Sequence, residues 1–149
     1  MKPKKELVHD LNDLLERNYD AIQGYKDAAR NVTNEELKRF FINQAKERLK
    51  LSEEVKVEIR LLGGNPVKEG SLLGIFHRSW MNFKTSLNHD NEKEVCQACI
   101  TGEEKAVREY DQLLDQKGAW SDRLKLELQG HRSTTLQAIR DLESLKEKF

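Results

Sequence analysis

The chain has 149 residues, 35 % of them charged, and its 26 Lys+Arg balance 26 Asp+Glu to a net charge of zero. That balance gives no overall basic field for nucleic acid, and no apolar run approaches the ~20 residues that cross a bilayer. The N-terminus lacks the apolar core of a secretory signal, so a cytoplasmic protein is expected, with one domain over 1–149 around one core.

The lysine cluster between Lys2 and Lys5 reads as a solvated end. Two prolines and the high charge content suit long solvent-facing helices. Two cysteines are too few for a disulfide framework.

The first periodic segment runs from about residue 5 to 30. Val8, Leu11, Leu15, Ile22, Tyr25 and Ala29 recur at spacings of three and four, Leu7 and Leu14 widen the stripe, and Asn18 falls inside it. Thr33-x-x-Glu36 reads as a capping box opening the second helix, about 34 to 62. Leu37, Phe41, Leu51, Val55 and Leu62 mark its stripe, with Gln44 and Arg48 inside. Gly63-Gly64 and Pro66 stop it. The short loop makes these two helices antiparallel neighbours.

A shorter apolar helix over 71–87 carries Leu72, Leu73, Ile75, Phe76, Trp80 and Phe83. At ~1.5 Å per residue it could run along a bundle, as a long crossover does. The third long helix spans about 91 to 117, with Cys96, Cys99, Glu103, Ala106 or Val107, Tyr110 and Leu114 on its stripe, and Gly118 breaks it. The fourth spans about 121 to 148, with Leu124, Leu128, His131, Thr135, Ile139, Leu142 and Leu145 inward. The reading is all-α: two antiparallel helical hairpins joined by a helix in the crossover.

The polar residues on those stripes fall at one level. With a turn near residue 33, Asn18 faces Arg48 and Tyr25 faces Phe41. With a turn near 118, Glu103 lies opposite Thr134 and within a turn of His131. Arg48 and Glu103 are complementary in sign, and a buried ion needs a partner. A buried ion pair is therefore expected, within a polar network of Asn18, Tyr25, Gln44, Arg48, Glu103, Tyr110 and His131. The alternative is that Arg48 snorkels outward along its stem and Glu103 meets solvent.

A di-metal site needs several carboxylates and imidazoles aimed at one centre. Arginine cannot ligate a metal, and no Glu-x-x-His occurs. Cys96-x-x-Cys99 lies inside a helix on its apolar side and reads as core thiols more than as a redox pair. His77-Arg78-Ser79-Trp80 reads either as packing of the crossover or as a recognition patch anchored on Trp80. Nucleophile elbows and phosphate loops are absent.

These residues resemble the ferritin-like superfamily, with the rubrerythrin-type pattern as ruler. Taking Tyr25 as its helix-one tyrosine puts Asn18 at a ligand position. The pattern Ala-x-x-Glu-x-x-His falls on Ala45-x-x-Arg48-x-x-Leu51, so both ligands are replaced. Gly102-Glu103 matches the helix-three pair, the next expected acid falls at Ala106, and Leu128-x-x-His131 keeps only the histidine. The resemblance thus leaves Asn18, Arg48, Glu103 and His131 as vestigial positions.

A closer resemblance covers nearly the whole chain. Leu11-Asn12-Asp13-Leu14, Gly24-Tyr25, Leu62-Gly63-Gly64-x-Pro66, Gly70-Ser71-x-x-Gly74, His77-Arg78-x-Trp80, Gly102-Glu103 and Tyr110 are similar to an uncharacterised bacterial family of ferritin-like four-helix bundles of unknown function.

The resemblance implies a ferritin-like fold and ancestry and brings no established activity. The expected function is a non-catalytic bundle with its di-metal site lost, no cofactor and no catalytic residues, acting through binding or assembly. The alternative is an iron or manganese oxidoreductase or metal-storage bundle using Glu103, His131 and Glu47. The partner is open, and a homo-oligomer through helix faces is one possibility.

Overall fold

A computed structural model describes residues 2–68, 92–116 and 118–149, and these are helical, with no strand among them. They form a four-helix bundle of α1 (Lys4–Asn31), α2 (Glu35–Leu61), α3 (Glu92–Leu114) and α4 (Asp122–Lys146). The expected crossover helix over 71–87, with His77 and Trp80, lies outside the described residues. No described helix is long and apolar enough to cross a membrane.

The helix ends follow local chemistry. Asn34, rather than Thr33, caps α2: its Oδ1 accepts from Leu37 N at 2.9 Å. Thr33 and Glu36 form no capping box, because Thr33 is committed elsewhere. Its backbone N–H and its hydroxyl both donate to Glu92 Oε1 at 2.9 Å, and Asn34 N–H donates to the same oxygen. Burial opposes the Glu92 charge, but these three donors more than offset it and hold the carboxyl below its ordinary range.

At the other end of α2, Gly63 takes φ +83°. Gly63 N–H donates to Arg60 O and Gly64 N–H to Ile59 O, the paired bonds of a Schellman stop. Gly64 is needed for a second reason: a Cβ there would lie 2.6 Å from Val8 Cγ1.

These contacts orient the bundle. One end holds the α1–α2 turn, the start of α3 at Glu92, and the Lys148–Glu36 ion pair. The opposite end holds Gly64 against Val8 and the α3–α4 turn. There Ser121 caps α4 by accepting from Leu124 N. It also donates from Oγ to Glu58 Oε1 at 2.6 Å and from its backbone N–H to Oε2. Trp120 Nε1 donates to Leu113 O at 2.7 Å. α2 therefore finishes at one end and α3 begins at the other, about 40 Å away at 1.5 Å per residue over the 27 residues of α2.

The core divides into two apolar clusters. One is built on Leu7, Leu11, Leu15, Leu51, Val55, Ile59, Tyr110 and Leu128. The other is built on Ile22, Tyr25, Phe41, Ala45, Val95, Cys96, Cys99 and Leu142. The tilted rings of Tyr25 and Phe41 stand 5.9 Å apart. On α2, α3 and α4 a polar residue stands in the interval between the clusters, Arg48, Glu103 and Thr135 in turn, and on α1 Asn18 stands next to Tyr19 at the edge of the first cluster; all four are buried.

Candidate functional site

Arg48 is the centre of that polar layer. It is 7 % exposed and does not snorkel. Nη2 donates to Glu103 Oε1 at 2.6 Å. Nη1 donates to Asn18 Oδ1 at 3.0 Å and to the Tyr110 hydroxyl at 2.9 Å. One guanidinium thus ties α2 to α1 and α3, a task suited to its planar fork of donors. Burial works against the Arg48 charge, but the Glu103 carboxylate outweighs it and keeps the guanidinium's pKa above its ordinary value.

The hydroxyls around this pair respond to burial. Tyr25 titrates well above its usual range, first because it is buried and then because Glu103 lies beside it. Tyr110 is raised too, chiefly by burial, with the Arg48 charge and the Thr135 side chain pulling the other way.

Of the residues expected in the network, the structure brings Asn18, Tyr25, Arg48, Glu103 and Tyr110 together. The other two stand aside. Gln44 is half-buried, and its side chain makes no hydrogen bond among the described residues. His131 is half-buried with Nε2 3.9 Å from Glu127 Oε2, and its side chain bonds neither Arg48 nor Glu103. Burial and then the Arg48 charge lower its pKa. Thr134, expected opposite Glu103, is exposed and bonds Gly130 O. The next residue, Thr135, is the one that turns into the core.

Beside the ion pair lies a groove of about 570 Å³ between α1 and α3. Ala21 and Gly24 line it from α1, and Ala98, Gly102 and Ala106 from α3; Tyr25, Arg48, Cys99 and Glu103 also border it. The Arg17–Glu109 ion pair (2.5 Å) bridges the two helices. In the layer, the buried Tyr25 hydroxyl lies against the Glu103 carboxylate, and Asn18 Nδ2 is buried with no hydrogen-bond partner among the described residues. The groove was not anticipated from the sequence. Its signal there is the run of small residues Ala98, Gly102 and Ala106 at every fourth position, one flank of a helix.

Cys96 and Cys99 are free and buried in the second apolar cluster. Burial pushes the Cys96 thiol up to about 11 and Cys99 well above its usual value. These are protonated core thiols rather than nucleophiles.

The fold and this layer define a helical bundle with a buried, hydrogen-bonded ion pair at mid-height. The comparison with known families shows the family and adds no activity. Residues 6–116 match a family described as a domain of unknown function, DUF2383, and the chain belongs to it. The matched stretch takes in α1, α2 and α3, and α4 lies beyond it. No curated protein matches the chain.

Proposed function

We propose that the protein is a ferritin-like bundle in which an arginine–carboxylate pair stands where metal-carrying bundles place their ligands, and that it acts by binding or assembly rather than by metal chemistry. The observation that carries this reading is the 2.6 Å contact between Arg48 Nη2 and Glu103 Oε1. A fixed cation at the bundle centre repels a metal ion and occupies the carboxylate oxygen the ion would need.

The donor set points the same way. Among the described residues no group of three or more His, Cys, Asp or Glu converges as a metal cage would. Glu103 keeps one oxygen off the arginine, and His131 stands apart from it. These residues do not fit a di-iron or di-manganese centre.

The ferritin-like assignment is supported by connectivity. α2 ends and α3 begins at opposite ends of the bundle, so a single long connection joins two antiparallel hairpins, as in ferritin-type folds.

Metal analysis of the protein purified without chelator tests the reading. Iron and manganese far below one atom per chain are expected. A near-stoichiometric content of either would overturn it.

A further inference from the structure

α2 turns an outer face to solvent. One flank of the helix meets α1, where Lys56 Nζ stands 5.7 Å from the centre of the Tyr19 ring. The other meets α4, through the Glu54–Arg123 ion pair and the Ser121 bond to Glu58. Between these flanks Ile42, Lys46, Leu49, Glu53, Val57 and Arg60 recur at spacings of three and four, which makes one line along the helix.

Large apolar side chains stand in water on this face. Ile42 is 46 % exposed, Leu49 51 % and Val57 38 %, with Leu61 at 69 % one turn beyond Val57. The other large exposed hydrophobics among the described residues are Leu126 and Phe149, so the exposed apolar surface is concentrated on this one helix. Apolar residues at this spacing, with charges between them, suit a seam against another helix.

The order of the charges selects the partner. A second α2 laid antiparallel on the first, with its two-fold axis level with the midpoint of Leu49 and Lys50, brings Ile42 opposite Val57 and Lys46 opposite Glu53. Symmetry makes each contact twice. Leu49 comes beside its own symmetry mate, where the apolar stem of Lys50 can cover both. Arg60 falls level with Arg39 and one turn from Glu35, a carboxylate it can reach. A parallel pair in register would set Lys46 against Lys46 and Glu53 against Glu53, which repels. Glu53 pairs with Lys56 on its own helix, but both are surface groups and that contact is weak enough to share.

We infer that the outer face of α2 docks a second copy of this chain, antiparallel, with Ile42 packed on Val57 and Lys46 paired with Glu53 across a two-fold axis. This deepens the assembly role proposed above and rests on that reading. The Arg48–Glu103 pair lies on the inner side of the same helix and is untouched by the contact.

Sedimentation velocity of the full chain over a concentration series tests the interface. One helix pair lies near the ~1,000 Å² lower bound of specific interfaces, so a reversible dimer dissociating in about the micromolar range is expected. Lys46→Glu and Glu53→Lys should each weaken it at least about tenfold, because each sets like charges against one another twice. An equimolar mixture of the two variants should recover the dimer, since each then supplies the sign the other lacks. Both substitutions are on exposed positions, and their melting temperatures should stay close to wild type.

A monomer at every concentration, a dimer undiminished in both charge variants, or a mixture no heavier than its components would each overturn the proposal. Metal analysis of the same preparation separates the two readings. Stoichiometric metal removes the assembly reading itself, whereas a metal-poor monomer removes only the α2 interface.

Discussion

Arg48 and Glu103 meet across the two hairpins of the bundle, 55 residues apart in sequence and 2.6 Å apart in space. Each stands in the gap between apolar clusters on its own helix, so the contact joins the hairpins where hydrocarbon packing is interrupted. Asn18 and Tyr110 complete the guanidinium's bonding from α1 and α3.

The half-buried imidazole of His131 should make stability pH-dependent. Burial and the Arg48 charge lower its pKa below the ordinary 6.5, so the unfolded chain takes up this proton first as pH falls. Stability from this group is unaffected above about pH 6.5 and declines as pH drops from there toward the lower folded value. Urea midpoints of wild type and His131→Gln, compared between pH 8 and pH 5, should diverge, with the variant losing less on acidification. Parallel curves would refute the assignment.

The cysteines offer a test of core integrity. With Cys96 pushed up to about 11 and Cys99 higher still, both thiols should resist a disulfide reagent at pH 8 in the native protein. Both should react at once in denaturant. Two fast native thiols would contradict their placement among Val95, Ile100 and Leu142.

At the α2 stop, Gly64→Ala should destabilise by about 1–3 kcal/mol through overpacking against Val8. Val8→Ala in the same chain should restore much of that loss, because it removes the methyl groups in the way. Equilibrium unfolding of the two single variants and the double variant measures this. A Gly64→Ala variant as stable as wild type would show that the close approach of α1 is not rigid.

Much of the bundle could be read from the sequence because helical periodicity is a local property. The stripe through Leu11, Leu15, Asn18 and Ile22, with only a short turn before Thr33, is enough to set Asn18 against Arg48 and Tyr25 against Phe41. Reading failed where a single residue decides. Thr33 and Asn34 are both good caps, and the choice of Asn34 depends on Glu92, 58 residues away from it, claiming the Thr33 donors. On α4 the stripe puts Thr135 inward, where it is buried, whereas counting out from the turn sets its neighbour Thr134 opposite Glu103, and that residue is exposed. Glu58 is buried with two donors from Ser121 across the bundle, a contact between distant segments that helical periodicity does not encode. The groove depends on the spacing between hairpins, which no periodicity encodes.

The most direct measurement is a double-mutant cycle on the central pair by equilibrium unfolding, using Arg48→Met, Glu103→Leu and the double variant. Each single variant should lose about 3–5 kcal/mol by stranding a buried charge, and the double variant should lose clearly less than the sum, a coupling of about 2 kcal/mol or more. Single losses below about 0.5 kcal/mol with no coupling would mean that the two side chains do not hold each other in the core, and the account would fail.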